Sequence, residues 1–533
     1  MSTILGLNGG QHDAASCLII DGKLVACVEE ERMTRIKAGN NYFSVPRLSS
    51  QKIAEMYGVT PQNADHVVFA SEVPGKYIEY ELNDVDYTVY DHHHCHAADA
   101  YYMSGFQEPT MIITMDGGGV DDALSVYLGK NGELTRILRD KWYLNAQLAQ
   151  LWGYSLHGIK GFDAEKGGFV WKFCKDEGKL MGMAPDGYYD ERVYNILRKA
   201  VNYSNLEFFP QDTIGLARLI SESMRRMGYF DTDEGIAVYA YNLQKLTEDL
   251  VLEFISDLHK LHPEYKKLAF AGGLFANVKL NQKINQLDWV DELFVFPAMG
   301  DSGLCAGAAI LKCRELGEGF DTPIRLDNVH LGVSYTDEEI SEVASKYNFE
   351  RKPYIASEVA EHLDDGEIIG FFQGKFEYGP RALGARSIIV RPTDYDTHKE
   401  LNSRLKRYDT MPFAPIVMKE YFSDIFVEQK SQYTAEFMTL CYDTKEEWID
   451  RIPAVIQKSD KTARPQIVTQ DGVPKFWEIL NEYREVSGIP VLLNTSFNAH
   501  NEPIIDSPEH AFVHLNNGII DKLVIENYVY YNS

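Results

Sequence analysis

The chain has 533 residues, with 52 lysines and arginines against 79 aspartates and glutamates, and its formal charge is −27. This charge argues against a broad nucleic-acid-binding surface but is compatible with a local basic groove. Hydrophobic content of 45% with 25% charged residues is typical of a globular chain too long for one core, which predicts at least two domains. Seven scattered cysteines without CxxC spacing, no basic apolar leader and no apolar run near about 18 residues predict a cytoplasmic protein with reduced thiols and no membrane segment.

A short unit of strands and glycine turns occurs twice in the first third of the chain. Its predicted strands are 4–7, 16–20 and 23–28 in the first copy and 111–115 and 123–128 in the second. The first glycine turn carries His12, and the second carries Asp116, Gly117 and Gly118. Each turn alone would be interpreted as a hairpin, but the repetition favours a paired cradle for a nucleotide or phosphate.

A mixed run of charges, residues 29–37, follows the first copy of this unit. Such runs are most often solvated faces. Here the run leaves a strand edge directly after the turn that carries His12, so Lys37 can reach an anion held at that turn.

A histidine cluster lies between a predicted strand, 87–90, and a predicted helix from Ala97 onward. Four of the 15 histidines fall within residues 92–96. If the helix begins near His92, then His92 and His96 lie one turn apart on one face and can converge on an ion. Solvated histidines at a polar helix start are the alternative, which is common for one histidine and less so for four. Two imidazoles need further ligands, and carboxylates elsewhere must supply them.

The middle of the chain alternates strands with helices and therefore predicts an α/β domain. The predicted elements are a helix-rich region at 150–260 interrupted at 177–185, a strand at 268–271, a helix at 275–284, a strand at 293–296 and a helix at 304–314. Gly272 and Gly273 follow the first of these strands, and Asp301 follows the second. An N-cap would explain Asp301, and metal ligation from the carboxyl end of a strand is the alternative.

A turn-rich stretch at 316–345 separates this pattern from a new one that begins with a capped helix at Asp337. We place the boundary near residue 340, which gives domains of 1–340 and 341–533. The second domain opens with a strand at 368–372. Residues 375–407 then carry eight basic and four acidic side chains, a net charge of +4 that suits a phosphate-rich substrate better than a solvated face. Near the end, four small polar side chains within 494–498 follow an apolar strand and can line a ligand or form a turn.

Taken together, these stretches resemble the O-carbamoyltransferase family of nodulation-factor and antibiotic biosynthesis, with its cephamycin- and tobramycin-type enzymes. The resemblance covers essentially the whole chain. Its most specific motifs are residues 373–387, 493–498, 92–96, 300–303 and 8–15.

The resemblance implies an α/β N-terminal domain of the actin-like ATPase type, similar to the tRNA threonylcarbamoyl-transfer proteins, and a smaller α+β C-terminal domain similar to YrdC. In the family, carbamoyl phosphate and ATP give a carbamoyl-adenylate and pyrophosphate at the second domain. The carbamoyl group then passes to a hydroxyl at the first domain, beside a metal ion that the resemblance suggests is iron. Mg²⁺ is expected to accompany ATP.

Matched by position, the family's motifs also imply roles for individual residues. The implied metal ligands are His92, His96, Asp116 and Asp301, and the implied transfer-site residues are His12 and Lys37. The implied carbamoyl phosphate and ATP set is Lys375, Arg381, Arg386 and Arg407 with the polar lining Asn494, Thr495, Ser496 and Asn498. Many relatives have His where this chain has Ala38, and an arginine where it has Met411. If that arginine binds phosphate, Lys406 or Arg407 must compensate.

The chemistry of these groups agrees with that assignment. Clustered cations neutralise charge during adenylation, and His12 has a pKa suited to accept the hydroxyl proton. A donor set of two His and two Asp suits Fe²⁺, Mn²⁺ or Zn²⁺. A non-catalytic metal- and nucleotide-binding assembly protein of the same fold is the competing hypothesis, and a metallopeptidase is disfavoured because the cluster lacks HExxH spacing.

The acceptor is expected to be a hydroxylated small molecule such as a sugar or an antibiotic-type metabolite. A hydroxymethylated nucleobase, as a nucleotide or in DNA, stays open, although the net charge does not favour DNA. No membrane partner is expected, and a homodimer is compatible with these features.

Overall fold

The computed structural model describes residues 2–9, 12–39, 45–70, 82, 84–117, 122–140, 148–156, 158–159, 176–209, 213–406, 413–499 and 501–532. Of the residues singled out above, Gly118, Arg407 and Met411 lie outside these ranges. No helix in the described part of the chain combines the length and the apolar content needed to cross a bilayer.

The first part of the chain contains two five-stranded sheets and a small hairpin. Its strands are Thr3–Asn8 (β1), Ala15–Ile20 (β2), Lys23–Glu29 (β3), His66–Ala70 (β4), Tyr87–Tyr90 (β5), Thr110–Met115 (β6), Leu124–Lys130 (β7), Glu133–Arg139 (β8), Asn202–Ser204 (β9), Glu207–Phe209 (β10), Lys267–Ala271 (β11) and Glu292–Val295 (β12). The sheet orders are β3-β2-β1-β4-β5 in the first sheet and, taken from the corresponding edge, β8-β7-β6-β11-β12 in the second. Both sheets therefore have the same order, which confirms the predicted repeat of one unit.

Both sheets are mixed. In each, the first three strands form an antiparallel meander, and the last two run parallel to the first. Parallel strands require crossover connections, which helices normally supply. The described helices of this part are Glu30–Thr34 (α1), Arg47–Tyr57 (α2), His92–Tyr102 (α3), Leu148–Ser155 (α4), Glu177–Met183 (α5), Glu191–Leu197 (α6), Thr213–Arg226 (α7), Asp233–Leu261 (α8), Val278–Asn285 (α9), Leu304–Leu316 (α10) and Asp337–Ala344 (α11).

Two buried helices, α3 and α10, lie between the two sheets. α10 packs on β1, β2 and β4 of the first sheet, α3 packs on β6 and β11 of the second, and the two helices pack on each other. Ten of the 11 residues of α3 and nine of the 13 residues of α10 are buried. Small side chains such as Ala97, Ala98, Ala306 and Ala309 allow this close approach of helices and sheets.

The second part of the chain forms one eight-stranded mixed sheet of order β13-β22-β21-β14-β15-β20-β16-β19, and a two-stranded sheet of β17 and β18. Its strands are Phe349–Pro353 (β13), Ile369–Phe372 (β14), Arg386–Val390 (β15), Ala414–Met418 (β16), Tyr442–Asp443 (β17), Thr462–Ala463 (β18), Gln466–Val468 (β19), Val491–Ser496 (β20), Lys522–Ile525 (β21) and Tyr528–Asn532 (β22). Its helices are Ala356–Asp364 (α12), Tyr395–Arg404 (α13), Phe422–Ile425 (α14), Gln432–Ala435 (α15), Glu446–Ile449 (α16), Pro474–Ser487 (α17) and Pro508–Asn516 (α18).

Two predicted elements differ from the structure. The interruption predicted at 177–185 is wrong, because α5 occupies most of it and packs on α8 through the buried Leu180 and Met183. Such tertiary packing outweighs the weak helix propensity of the two glycines in α5. The polar residues expected after the apolar strand at 491–493 partly belong to it, since Asn494, Thr495 and Ser496 pair with β15.

Candidate metal centre and anion pocket

Four buried side chains from separate parts of the chain meet at one point. Each of His92, His96, Asp116 and Asp301 offers one ligand atom within 4.8 Å of the others. His96 Nε2 lies 3.3 Å from Asp116 Oδ2 and 3.6 Å from Asp301 Oδ1, and His92 Nε2 lies 3.8 Å from that same Asp301 oxygen. The structure therefore brings together the four residues that the family resemblance implies as metal ligands.

The cluster lies where the parallel strands of both sheets end. Asp116 directly follows β6, and Asp301 follows β12 after a short turn. The two histidines lie one turn apart in α3, which begins at His92 as the spacing required. Asp91 caps that helix by accepting the backbone N–H of His94 at 2.9 Å. Carboxyl ends of parallel strands are the usual position of ligand sites in α/β proteins.

The carboxylates and imidazoles stabilise each other's charged forms. Burial alone would lower the pKa of His96, but the adjacent Asp116 and Asp301 raise it to about 10. Burial would raise the pKa of Asp116, but His96 and His92 lower it well below its usual value, and the Gly273 N–H donates to Asp116 Oδ2 at 2.7 Å. The neighbouring His93 differs, because its ring contacts Thr114 Oγ1 at 2.7 Å and the Asp122 carbonyl at 3.2 Å. Burial lowers the pKa of His93 well below 6.5, so this ring is a neutral core group.

These residues fit a divalent metal ion. Among the described residues, the buried Asp301 Oδ1 and His96 Nδ1 receive no hydrogen bond, and Asp301 does not cap the helix that follows it. Ligands held about 2.0–2.2 Å from one ion are separated by roughly 3.0–3.5 Å, and the three shortest contacts named above, at 3.3, 3.6 and 3.8 Å, are close to that range. Nitrogen and carboxylate donors in this number suit Fe²⁺, Mn²⁺ or Zn²⁺.

His12 lies at the rim of the cluster. Its Nδ1 contacts Asp13 Oδ2 at 3.0 Å, its Nε2 is 3.7 Å from Asp301 Oδ2, and its side chain is 29% exposed. The turn at Lys37 is next to it, because the Ala38 carbonyl accepts the Asp13 N–H at 2.9 Å. An imidazole oriented by a carboxylate beside an ion site is the arrangement expected of a general base.

The predicted glycine turns also border the cluster. The N–H groups of Gly117 and Gly273 both donate to the Asp116 carboxylate, and the Gly272 N–H donates to the Met299 carbonyl at 2.6 Å. The first two of these N–H groups therefore orient a candidate metal ligand in the structure.

The predicted basic set is divided by the fold. Arg386 is fully buried, stacks on Phe372 with 3.4 Å from Cζ to the ring centroid, and donates to backbone carbonyls of Gln373, Gly374, Ala385 and Val333. Lys375 donates to Tyr57 Oη at 2.8 Å and to the Val25 carbonyl at 3.2 Å. Lys406 is exposed at the end of α13. The charged groups that shift the pKa of Arg381 are Arg464 and Cys441, and these three cations are not among them.

The partner of Arg381 is Arg464, which the sequence did not single out. Burial lowers the pKa of both guanidinium groups, and Arg464 lowers that of Arg381 further. The buried Nε atoms of both make no hydrogen bond among the described residues. Two neighbouring guanidinium groups without a carboxylate partner among the described residues suit an anion, because each presents a planar set of donors. A single arginine between two short strands gives no sequence signal of this kind.

Two polar side chains hold the backbone next to Arg381. We term Arg381, Arg464, Asn494 and Gln466 the anion pocket. Asn494 Nδ2 donates to the Ala382 carbonyl at 2.9 Å and to Gln466 Oε1 at 3.1 Å. Gln466 Nε2 in turn donates to the Leu383 carbonyl at 2.9 Å. Asn498 instead donates to the carbonyls of its own loop, at Ala499 and Glu502. Thr495 and Ser496 lie between these positions at the end of β20.

Comparisons with known proteins cover both parts of the chain. Residues 3–87 and 76–310 match the family model described as carbamoyltransferase N-terminus, and residues 360–532 match the one described as carbamoyltransferase C-terminus. An uncharacterised protein of Methanocaldococcus jannaschii is 32% identical over 85% of this chain and 75% of its own length. Nodulation protein NolNO of Sinorhizobium fredii is 30% identical over 98% of this chain and 82% of its own length. Full-length HypF in its phosphate- and nucleotide-bound form is 15% identical, with a TM-score of 0.36 over 59% of this chain and 56% of that one.

Proposed function

The chain belongs to the carbamoyltransferase family and is an enzyme, and on that premise we propose that it transfers the carbamoyl group of carbamoyl phosphate, activated with ATP as a carbamoyl-adenylate, to a hydroxyl of an acceptor. The observation that carries the proposal is the placement of His12, oriented by Asp13, 3.7 Å from Asp301 of the four-residue cluster. Carbamoyltransferase family models match both parts of the chain, which disfavours the competing hypothesis of a non-catalytic assembly protein.

Activation is assigned to the second part of the chain, which we propose to be a YrdC-like domain. Of the phosphates of both substrates, the adenylate retains only the α-phosphate of ATP, as part of AMP. The balance therefore consumes water and releases inorganic phosphate from carbamoyl phosphate and pyrophosphate from ATP. The oxygen of carbamate attacks the α-phosphorus, and the bond to the β-phosphate breaks. Arg381 and Arg464 support this step because they can neutralise the charge that builds on the phosphates.

Transfer is assigned to the cluster in the first part of the chain, which we propose to be an actin-like ATPase-type domain. His12 accepts the proton of the acceptor hydroxyl as the oxygen attacks the carbamoyl carbon, and AMP leaves. General-base catalysis of this kind typically contributes about 10²–10⁴-fold. A divalent ion bound by His92, His96, Asp116 and Asp301 would supply Lewis acidity to the carbamoyl oxygen or hold the nucleotide phosphates. Iron is the ion that we propose.

The acceptor that we propose is a small hydroxylated metabolite, such as a sugar or an antibiotic-type compound. The formal charge of −27 disfavours a polymeric nucleic-acid acceptor, whose phosphates need a basic surface. A free hydroxymethylated nucleotide is not disfavoured by this argument. Offering a panel of hydroxylated acceptors with labelled carbamoyl phosphate and identifying products by mass tests this assignment.

His12→Asn separates the two steps. Because His12 is proposed to act only on the acceptor proton, the variant should still release pyrophosphate from ATP and carbamoyl phosphate. Carbamoylation of the acceptor should fall by about 10²-fold or more. His66→Asn is the matched control, since His66 lies at the opposite, amino end of β4, and it should retain both activities. If wild-type protein releases no pyrophosphate when ATP and carbamoyl phosphate are mixed, the proposed activation is wrong. Loss of pyrophosphate release in His12→Asn alone would contradict the role given to His12.

A further inference from the structure

A tyrosine of the second part of the chain contacts the turn that carries Asp301. The Tyr378 hydroxyl donates to the carbonyl of Ser302, the residue that follows Asp301, and lies 3.7 Å from Cys305 Sγ. Tyr378 is only 2% exposed, and its ring packs edge-on against Phe296 with 6.2 Å between centroids. Burial raises the pKa of this phenol well above 10, so the hydroxyl retains its proton and remains a donor.

The residue after Tyr378 is fixed against the same turn. Gly379 has φ of +106°, and a Cβ there would lie 2.8 Å from the Pro297 carbonyl oxygen. Its own carbonyl accepts a hydrogen bond from the buried Arg32 at 2.7 Å. The backbone at 378–379 is therefore held between the 297–303 turn and α1.

The other end of this loop is equally constrained. A buried Glu377 carboxylate oxygen accepts the backbone N–H groups of Leu383, Ala385 and Arg386 at 2.7–2.9 Å. Arg381 of the anion pocket lies between these two anchored ends. Because three residues span at most about 11 Å of extended chain, Arg381 cannot be far from the turn that Tyr378 contacts.

From these contacts we infer that Tyr378 is a positioning residue, which fixes Asp301 through the Ser302 carbonyl and couples the Arg381 loop to the metal centre. The inference rests on the metal centre of the proposed function. Groups that orient a metal ligand through hydrogen bonds typically change metal affinity by about 10–100-fold when they are removed. Coupling between two sites is reciprocal, so binding of an ion must also stabilise the loop.

The first test is titration of metal-free protein with Mn²⁺ by calorimetry. Tyr378→Phe retains the ring and removes only the donor, and we expect its dissociation constant for Mn²⁺ to rise by about tenfold or more. Tyr102→Phe is the matched control, since Tyr102 is also buried and its hydroxyl donates to a backbone carbonyl, that of Gly132 at 2.8 Å. Both variants should lose thermal stability to a similar extent, whereas only Tyr378→Phe should lose metal affinity. A dissociation constant of Tyr378→Phe within about twofold of the wild-type value overturns the inference.

The second test uses the unaltered protein and therefore does not depend on the folding of a variant. Amide hydrogen exchange is compared with and without Mn²⁺. We expect slower exchange in 377–386 as well as in the 297–303 turn. Protection confined to the 297–303 turn, or no binding of Mn²⁺ at all, overturns the coupling. Neither test uses carbamoyl phosphate or ATP, so pyrophosphate release and acceptor carbamoylation report separately on whether the proposed function fails.

Discussion

Arg464→Met is predicted to weaken ligand binding without destabilising the protein. Burial lowers the pKa of Arg464 and, together with Arg464, that of Arg381. A basic group with a lowered pKa is less stable as a cation in the folded than in the unfolded state. This loss of folding stability is present at every pH below the lowered pKa, which includes neutral pH. It is relieved only as the pH rises through the lowered pKa. Methionine is similar in length and removes one of the two neighbouring charges.

Arg464→Met is therefore expected to leave the free energy of unfolding unchanged or raise it, and to lower the affinity for an anion. Replacing a buried charge by an apolar side chain of similar size is often neutral or stabilising, and we expect the free energy of unfolding to be unchanged or higher by about 1 kcal/mol. Hydrogen bonds to charged groups contribute about 1.5–3 kcal/mol, so the loss of this donor should weaken anion binding by about 10- to 150-fold. The measurements are guanidinium denaturation and calorimetric titration with α,β-methylene-ATP and Mg²⁺.

Arg386→Met is the control because it also removes a guanidinium, here a fully buried one with a structural role. Four backbone carbonyls lose a donor in this variant. We expect a loss of about 2–4 kcal/mol in the free energy of unfolding, and nucleotide affinity close to the wild-type value in the fraction that remains folded. If Arg464→Met instead loses more than about 2 kcal/mol of stability and binds the nucleotide normally, Arg464 is a structural residue and the pairing with Arg381 has been misinterpreted.

Two further substitutions test the metal centre and the loop next to it. Asp301→Ala removes a carboxylate that lies within 3.8 Å of both histidines, so Mn²⁺ affinity should fall by at least about 100-fold, measured by calorimetry; unchanged affinity would exclude Asp301 as a ligand. Gly379→Ala should destabilise the protein by about 2 kcal/mol or more, because strain at φ of +106° adds to a contact of 2.8 Å with a carbonyl oxygen. Gly488→Ala has a φ of +72° with nothing within 4 Å, so it should cost about 1 kcal/mol in the same denaturation assay, and equal costs would contradict the close approach at Gly379.

Much of the first half of the chain could be predicted from local patterns. The repeat of strand, glycine turn and strand is written in consecutive residues, and the structure shows it as two sheets of identical order. His92 and His96 could be paired because they lie one helical turn apart, and Asp301 could be noted because it follows a strand. Their convergence with Asp116 was implied by the family resemblance, and the pattern of single residues placed Asp116 only in a glycine turn after a strand.

The division of the basic residues could not be predicted from the sequence. Lys375, Arg381 and Arg386 look alike in a glycine-punctuated loop, and only burial separates them. Arg386 is surrounded by carbonyls of its own loop and of Val333, whereas Arg381 meets Arg464, which lies 83 residues further along the chain (464 − 381). Such a pairing depends on how distant segments pack, and no local period in the sequence encodes it.

The metal cluster requires negatively charged side chains and the anion pocket requires positively charged ones. The fold keeps these two sets of charges apart although a short loop connects them. The metal cluster needs ionised carboxylates, and the two imidazoles keep the pKa of Asp116 low. The anion pocket needs cations without nearby carboxylate partners, and the pKa of both arginines is lowered there. Glu377, the carboxylate within the connecting loop, accepts three backbone N–H groups of that loop at 2.7–2.9 Å through one of its oxygens, so these hydrogen bonds direct it toward its own loop. If that carboxylate instead faced Arg381, it would compete with a phosphate for the guanidinium, and the pocket would lose the unpaired positive charge on which anion binding depends.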